Sequence, residues 1–137
     1  ATWKDERAAS MRFIARCYKY LKRYEESKMW LNKAINEAPY LRDAYVEMAF
    51  LEYELNNFSA VKKYCLLALN IKTHEKTYIN EPFSFDYTIY DLLSISTFYL
   101  GEIDESLKWV DIAIKMEPNN KRLLNNKKLI LRSKKEF

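Results

Sequence analysis

Residues 89–120 read IYDLLSISTFYLGEIDESLKWVDIAIKMEPNN, and this stretch decides the fold. Tyr90, Leu93, Phe98 and Leu100 give its first half an apolar helical face. Gly101 then supplies a helix stop, because glycine accepts the left-handed conformation that ends helices. Asp104 is suited to cap a second helix, on which Leu107, Val110, Ala113 and Ile114 recur at helical steps. Pro118-Asn119-Asn120 ends that helix. The unit is helix, tight turn, helix.

The same unit occurs twice upstream. Met11, Ile14, Ala15, Tyr18 and Leu21 mark one helix, and Trp30, Leu31, Ala34, Ile35 and Ala38 mark its partner before Pro39. Tyr45, Met48, Ala49, Leu51 and Leu55 mark the next, followed by the turn residues Asn56 and Asn57. Val61, Tyr64, Cys65, Ala68, Leu69 and Ile71 complete that pair. Tyr24, Phe58 and Ile103 occupy equivalent places after each turn, and Ala34, Ala68 and Ala113 are the matching small residues. The first two copies are 34 residues apart, and the third is displaced by a further 11.

A helix–turn–helix period of 34 residues identifies the tetratricopeptide repeat. The resemblance covers residues 8–120. Met11, Tyr45 and Tyr90 match its large residue early in the first helix. Ile14-Ala15, Met48-Ala49 and Leu93-Ser94 follow, and Ser27, Val61 and Ser106 match the small position of the second helix. No copy carries the consensus Trp-Leu-Gly. The expected architecture is an all-α, right-handed α-solenoid of three helix pairs, at about 8–41, 42–75 and 87–120, forming a single domain. An insertion spans 76–86, and a capping helix spans 121–135, with Leu123, Leu124, Leu129, Ile130 and Leu131 on its apolar side.

Composition excludes other classes. The chain has 137 residues, 49% of them hydrophobic and 31% charged, which is a globular balance. One glycine and three prolines are too few for a sheet of short strands, and one glycine cannot build a phosphate-cradling loop. No apolar run reaches the roughly 20 residues of a membrane span. Cys17 and Cys65 lie in helix-patterned stretches without disulfide, redox or zinc spacing. His74 is the only histidine and reads as a surface residue near a helix end. Asn57-Phe58-Ser59 is formally a glycosylation sequon, but the cysteines and the lack of a visible signal point to a cytoplasmic protein. No catalytic set, metal or cofactor is expected.

Repeats of this family line a concave groove with the first helix of each pair. The resemblance places Arg12, Arg16, Lys19 and Tyr20 there from the first copy. Asp43, Val46, Phe50, Tyr53 and Glu54 come from the second, and Thr88, Asp91, Ile95, Phe98 and Tyr99 from the third. Such a wall is basic at one end and aromatic at the other, suiting an extended peptide with an acidic portion and an apolar anchor. A well-known variant clamps a terminal carboxylate with Lys, Asn and Arg. Here Glu47 stands where the amide would be and Leu92 where a base would be, so no such clamp is expected.

The insertion is aromatic for a loop, and Tyr78, Phe83 and Phe85 are its candidate contact residues. It suits a lid over the groove, a contact with a partner, or a loop that buries its own aromatics on the neighbouring helices. Charge is uneven: residues 121–137 hold seven bases and one acid, the other 120 residues 16 bases and 18 acids. The basic stretch fits either an anionic-surface contact or a solvated last helix. Without interleaved aromatics, single-stranded nucleic acid is not the expected partner.

Ala15-Arg16-Cys17-Tyr18-Lys19-Tyr20-Leu21, Tyr78-Ile79-Asn80-Glu81-Pro82-Phe83 and Tyr90-Asp91-Leu92-Leu93-Ser94 carry a narrower likeness. They resemble the repeat region that follows the catalytic domain in some bacterial and phage family 2 glycosyltransferases. That resemblance implies a non-catalytic accessory arm of an enzyme using a nucleotide-sugar donor, with the parent catalytic domain as one partner. The Asp-x-Asp motif of such enzymes is absent from this chain. The other reading is a free-standing adaptor for an extended peptide.

Overall fold

The computed structural model describes residues 2–72 and 80–136. In chain order they form α1 (Trp3–Tyr20), α2 (Tyr24–Glu37), α3 (Asp43–Glu54), α4 (Phe58–Leu69), a 3-10 turn (Pro82–Ser84), α5 (Thr88–Tyr99), α6 (Ile103–Met116) and α7 (Lys121–Glu136). Each helix packs on the next in sequence, most extensively within α1–α2, α3–α4 and α5–α6. The odd-numbered helices α1, α3 and α5 also touch in series, which puts them on one side. This is the solenoid expected from the period. His74 and Tyr78 lie outside the described residues.

The three turns are built alike. Lys22, Asn56 and Gly101 hold φ of 61°, 57° and 81°, the left-handed conformation. In each turn the next amide reaches back five residues: Arg23 N to Tyr18 O, Asn57 N to Glu52 O and Glu102 N to Thr97 O, all at 2.9 Å. That bond satisfies a carbonyl otherwise orphaned at a helix C-terminus.

Within each pair, small residues let the helices approach. Ser27 Oγ donates to Ala15 O at 2.7 Å, and Ser106 Oγ donates to Ser94 O at 2.8 Å. The middle pair uses the apolar couple Ala49 and Val61, both fully buried. Cys65 and Ala68 continue that core, and burial pushes the Cys65 thiol up to about 12.

The N-terminus is capped: Thr2 Oγ1 accepts from Asp5 N, and Asp5 Oδ2 accepts from Thr2 N, both at 3.2 Å. The Tyr40 hydroxyl also donates to Asp5, tying α1 to the start of the second pair. Burial works against the Asp5 charge. The hydrogen bonds from Tyr40 and Thr2 outweigh it, so its carboxyl lies below the ordinary range. Asp104 does not cap α6. The cap position is Glu102, without a side-chain bond, and Asp104 sits in the first turn, paired with Lys134 at 3.0 Å. At the far end, Leu123 and Ile130 seat α7 on the last pair. Arg122, Lys127 and Lys134 on α7 pair with Asp91, Asp111 and Asp104, so part of the basic C-terminal charge is used internally.

Candidate functional site

The concave side divides into two halves. In the first, the chain lies against itself. Arg12 and Arg16, one turn apart on α1, both reach Glu47 of α3 and Glu81 of the insertion. Arg12 Nη1 lies 3.1 Å from Glu47 and 3.3 Å from Glu81. Asp43, at the first position of α3, accepts from Glu81 N at 2.8 Å and from Ser84 Oγ at 2.7 Å. Arg42 donates to Ile71 O at 2.9 Å and to Ser84 O at 3.0 Å, and its guanidinium lies 4.4 Å over the Phe85 ring. Phe83 packs edge-on against Phe50 at 5.1 Å. From Glu81 to Phe85, the described part of the insertion therefore docks on α1 and the start of α3, burying Phe83 in part against the groove wall.

Charge sets the chemistry of this half. Partial burial raises the Glu81 carboxyl, but Arg16 and then Arg12 outweigh it and hold Glu81 below the ordinary carboxylate range. Arg16 is correspondingly held more firmly charged by Glu47 and Glu81, against the opposing effect of burial.

The second half is open. Tyr53, Ile95, Phe98, Leu129 and Ile130 line a groove of about 440 Å³ between α3, α5 and α7, with Arg122, Asn126, Arg132 and Ser133 along its α7 side. That volume is in the range of ligand-binding clefts. Arg122 grips Asp91 through two bonds of 3.1 and 2.6 Å, which keep its guanidinium charged. Tyr99 stacks on Phe58 at 4.4 Å, and Tyr53 meets the same ring edge-on at 6.1 Å, closing one end.

The residues expected in the groove are thus distributed unevenly. Tyr53, Ile95, Phe98 and Tyr99 border the open half, and Asp91 positions Arg122 there. Arg12, Arg16 and Phe50 lie under the insertion. Lys19 stands 5.6 Å over Phe50 and pairs with Glu54 at 3.8 Å, while Tyr20 is 88% exposed. Val46 corrects its expected placement: it has no exposed surface and belongs to the core with Val61 and Leu93, because α3 is covered on both sides. Leu92 is likewise buried in that core. The sequence reading missed Glu81 as an ion-pair partner and α7 as a groove wall. The second was legible: Arg122, Asn126, Leu129 and Ser133 follow helical spacing down one face.

Among the described residues, no helix is long and apolar enough to cross a membrane, and no cluster of metal-binding side chains occurs. No protein-family model and no curated protein matches the chain. Solved structures do. The first TPR domain of Spaghetti (RPAP3) bound to the HSP90 peptide SRMEEVD superposes with a TM-score of 0.79 at 19% identity, covering 94% of each chain. The first TPR domain of human RPAP3 gives 0.77 at 19% identity, covering 94% of this chain and 93% of that one. The N-terminal domain of stress-induced protein-1 from C. elegans gives 0.75 at 15% identity, over 95% and 98% of the two chains. At these identities what is shared is the fold, and the chain has the tetratricopeptide-repeat fold.

Proposed function

We propose that this chain is a non-catalytic adaptor that holds an extended peptide in the open half of its groove. The observation that carries the reading is the cleft between α3, α5 and α7, with an apolar floor at Tyr53, Ile95, Phe98 and Leu129 and cationic side chains on its α7 rim. Arg132 has no acidic partner among the described residues, so it is available to a ligand carboxylate. The fitting peptide has one bulky apolar anchor flanked by Asp or Glu. An RPAP3 domain of the same fold holds an acidic peptide, which supports the class of ligand. A free C-terminal carboxylate is not required, since Glu47 is engaged by two arginines and Leu92 is buried. A reducing, cytoplasmic setting suits the two free cysteines.

The test is fluorescence anisotropy with labelled heptapeptides carrying acidic flanks and a central Phe, Leu, Trp or Ala. The expected result is saturable binding of the bulky-centred peptides, weakened by Phe98→Ala and by Arg132→Glu. Binding unchanged by both substitutions, or no binding by any peptide, contradicts the reading.

A second reading makes this adaptor the accessory arm of a family 2 glycosyltransferase, its partner the parent catalytic domain. The supporting observation is the resemblance of the Tyr78–Phe83 stretch, whose described residues are built into the groove rather than looping away from it. The chain alone then turns over no nucleotide sugar. The coding sequence upstream of Ala1 tests it: an α/β domain with Asp-x-Asp supports the arm, and a start codon beside Ala1 contradicts it.

A further inference from the structure

The closed half of the groove shows the hallmarks of a bound peptide, although its occupant belongs to the same chain. Glu81 and Ser84 are held by α1 and α3 from 38 to 69 residues away in sequence. Recognition is both of backbone and of side chain, as in a peptide-reading groove, with the occupant held as Glu81 followed by the 3-10 turn Pro82–Ser84. The Glu81 amide and the Ser84 carbonyl are bonded to Asp43 and Arg42, the Glu81 carboxylate to two guanidinium groups, and the Phe83 ring to Phe50. Among the described residues, Arg12, Arg16 and Arg42 bring three positive charges to this corner, and Asp43 and Glu47 bring two negative ones. Glu81 brings the third. An acidic side chain is therefore what the corner selects, and Arg12, only 4% exposed, makes a missing partner costly.

We propose that Arg12, Arg16, Asp43 and Phe50 form a second recognition site for a Glu-x-Phe segment, with the chain's own Glu81–Ser84 stretch as its resident occupant, shutting out the same chemistry offered in trans. The inference stands apart from the open half and does not depend on it. A covalently tethered occupant competes at an effective concentration on the order of 1 mM, so a free peptide at micromolar concentration is excluded from this site in the intact chain. Once the tethered segment loses its anchors, the site accepts the free one.

The experiment uses a labelled peptide of residues 80–86, Asn-Glu-Pro-Phe-Ser-Phe-Asp, blocked at both ends, and reads anisotropy. The proteins all carry Phe98→Ala, which disables the open half; they are the otherwise intact chain and its Glu81→Ala, Phe83→Ala double variant, each with folding checked by circular dichroism. The double variant is expected to bind saturably, about tenfold or more tighter than the intact chain. With the open half disabled throughout, adding Arg16→Glu is expected to abolish that binding, which assigns it to this site. A peptide with Gln for its Glu is expected to bind about tenfold more weakly. If the double variant does not fold, Glu81→Ala alone, which keeps the Asp43 anchors, takes its place with the same expected direction. A folded opened variant that binds no better than the intact chain, or whose binding resists Arg16→Glu, overturns the proposal.

Discussion

The two halves of the groove use the same kind of helix for opposite ends. In the first half, α1 and α3 turn charged side chains inward, and the chain supplies the counter-charge itself through Glu81. In the second, α5 and α7 present Ile95, Phe98 and Leu129, and no described segment lies across them. Buried charge needs a partner of fixed geometry, so the charged half is filled. An apolar cleft of modest size tolerates water until a ligand arrives, so the apolar half stays open. A repeat scaffold thus sets where a groove runs, while the inward residue types decide whether it is free.

The largest effect that tests this contrast falls on Asp43. It is fully buried and accepts both the Glu81 amide and the Ser84 hydroxyl. Asp43→Ala leaves two donors without a partner and is expected to cost about 3 kcal/mol, read by urea unfolding. A loss below about 1 kcal/mol would mean that the insertion is not pinned as described.

The open half gives the next effect. Phe98→Ala removes a central anchor and is expected to weaken an acidic, Phe-centred heptapeptide by about 2 kcal/mol, with folding retained. Glu81→Gln should leave that affinity alone. If the two substitutions exchange effects, the assignment of open and closed halves is reversed.

Acid should distinguish the halves as well. The Glu81 carboxyl is held below its ordinary value by Arg16 and Arg12, so its contribution to stability is present above the unfolded pKa and fades as pH falls through the lower folded one. The stability difference between the intact chain and Glu81→Gln is therefore expected to be full at pH 7, to begin fading as pH falls below about 4, and to vanish only once pH has passed below the lower folded value. A difference that persists into acid would show that charge is not what holds the segment.

The smallest effects lie in the turns. Lys22 and Gly101 hold the same left-handed conformation at equivalent places in the first and third pairs. Lys22→Gly is expected to stabilise by about 0.5 kcal/mol and Gly101→Ala to destabilise by about 1 kcal/mol, both by thermal unfolding. Destabilisation by Lys22→Gly, or no loss from Gly101→Ala, would show that side-chain contacts, rather than φ, govern these positions.

Much of the fold was legible in the sequence, because a period carries its own check. Gly101 and Asn56 announced turns, and Ala34, Ala68 and Ala113 announced the close approach within pairs, all now buried at 0–1% exposure. Lys22 was not legible as a left-handed residue, since lysine has no preference for that conformation. The site was harder. Val46 was assigned to the groove by its spacing on α3, but a helix flanked on both sides keeps only a narrow open stripe, and Val46 lies off it. Glu81 carried no signal at all, because an ion pair across 65 residues has no local pattern. Arg122 and Asn126 did carry one, hidden by reading α7 only as a cap.

The most direct measurement is an amide chemical-shift titration of the isotope-labelled chain with an acidic, Phe-centred heptapeptide. The account expects saturable shifts at Tyr53, Ile95, Phe98, Asn126 and Ser133, with Arg12, Arg16, Phe50 and Glu81 unmoved. Shifts centred on Arg16, Phe50 and Glu81, with α5 and α7 silent, would contradict a groove that is closed at one half and open at the other.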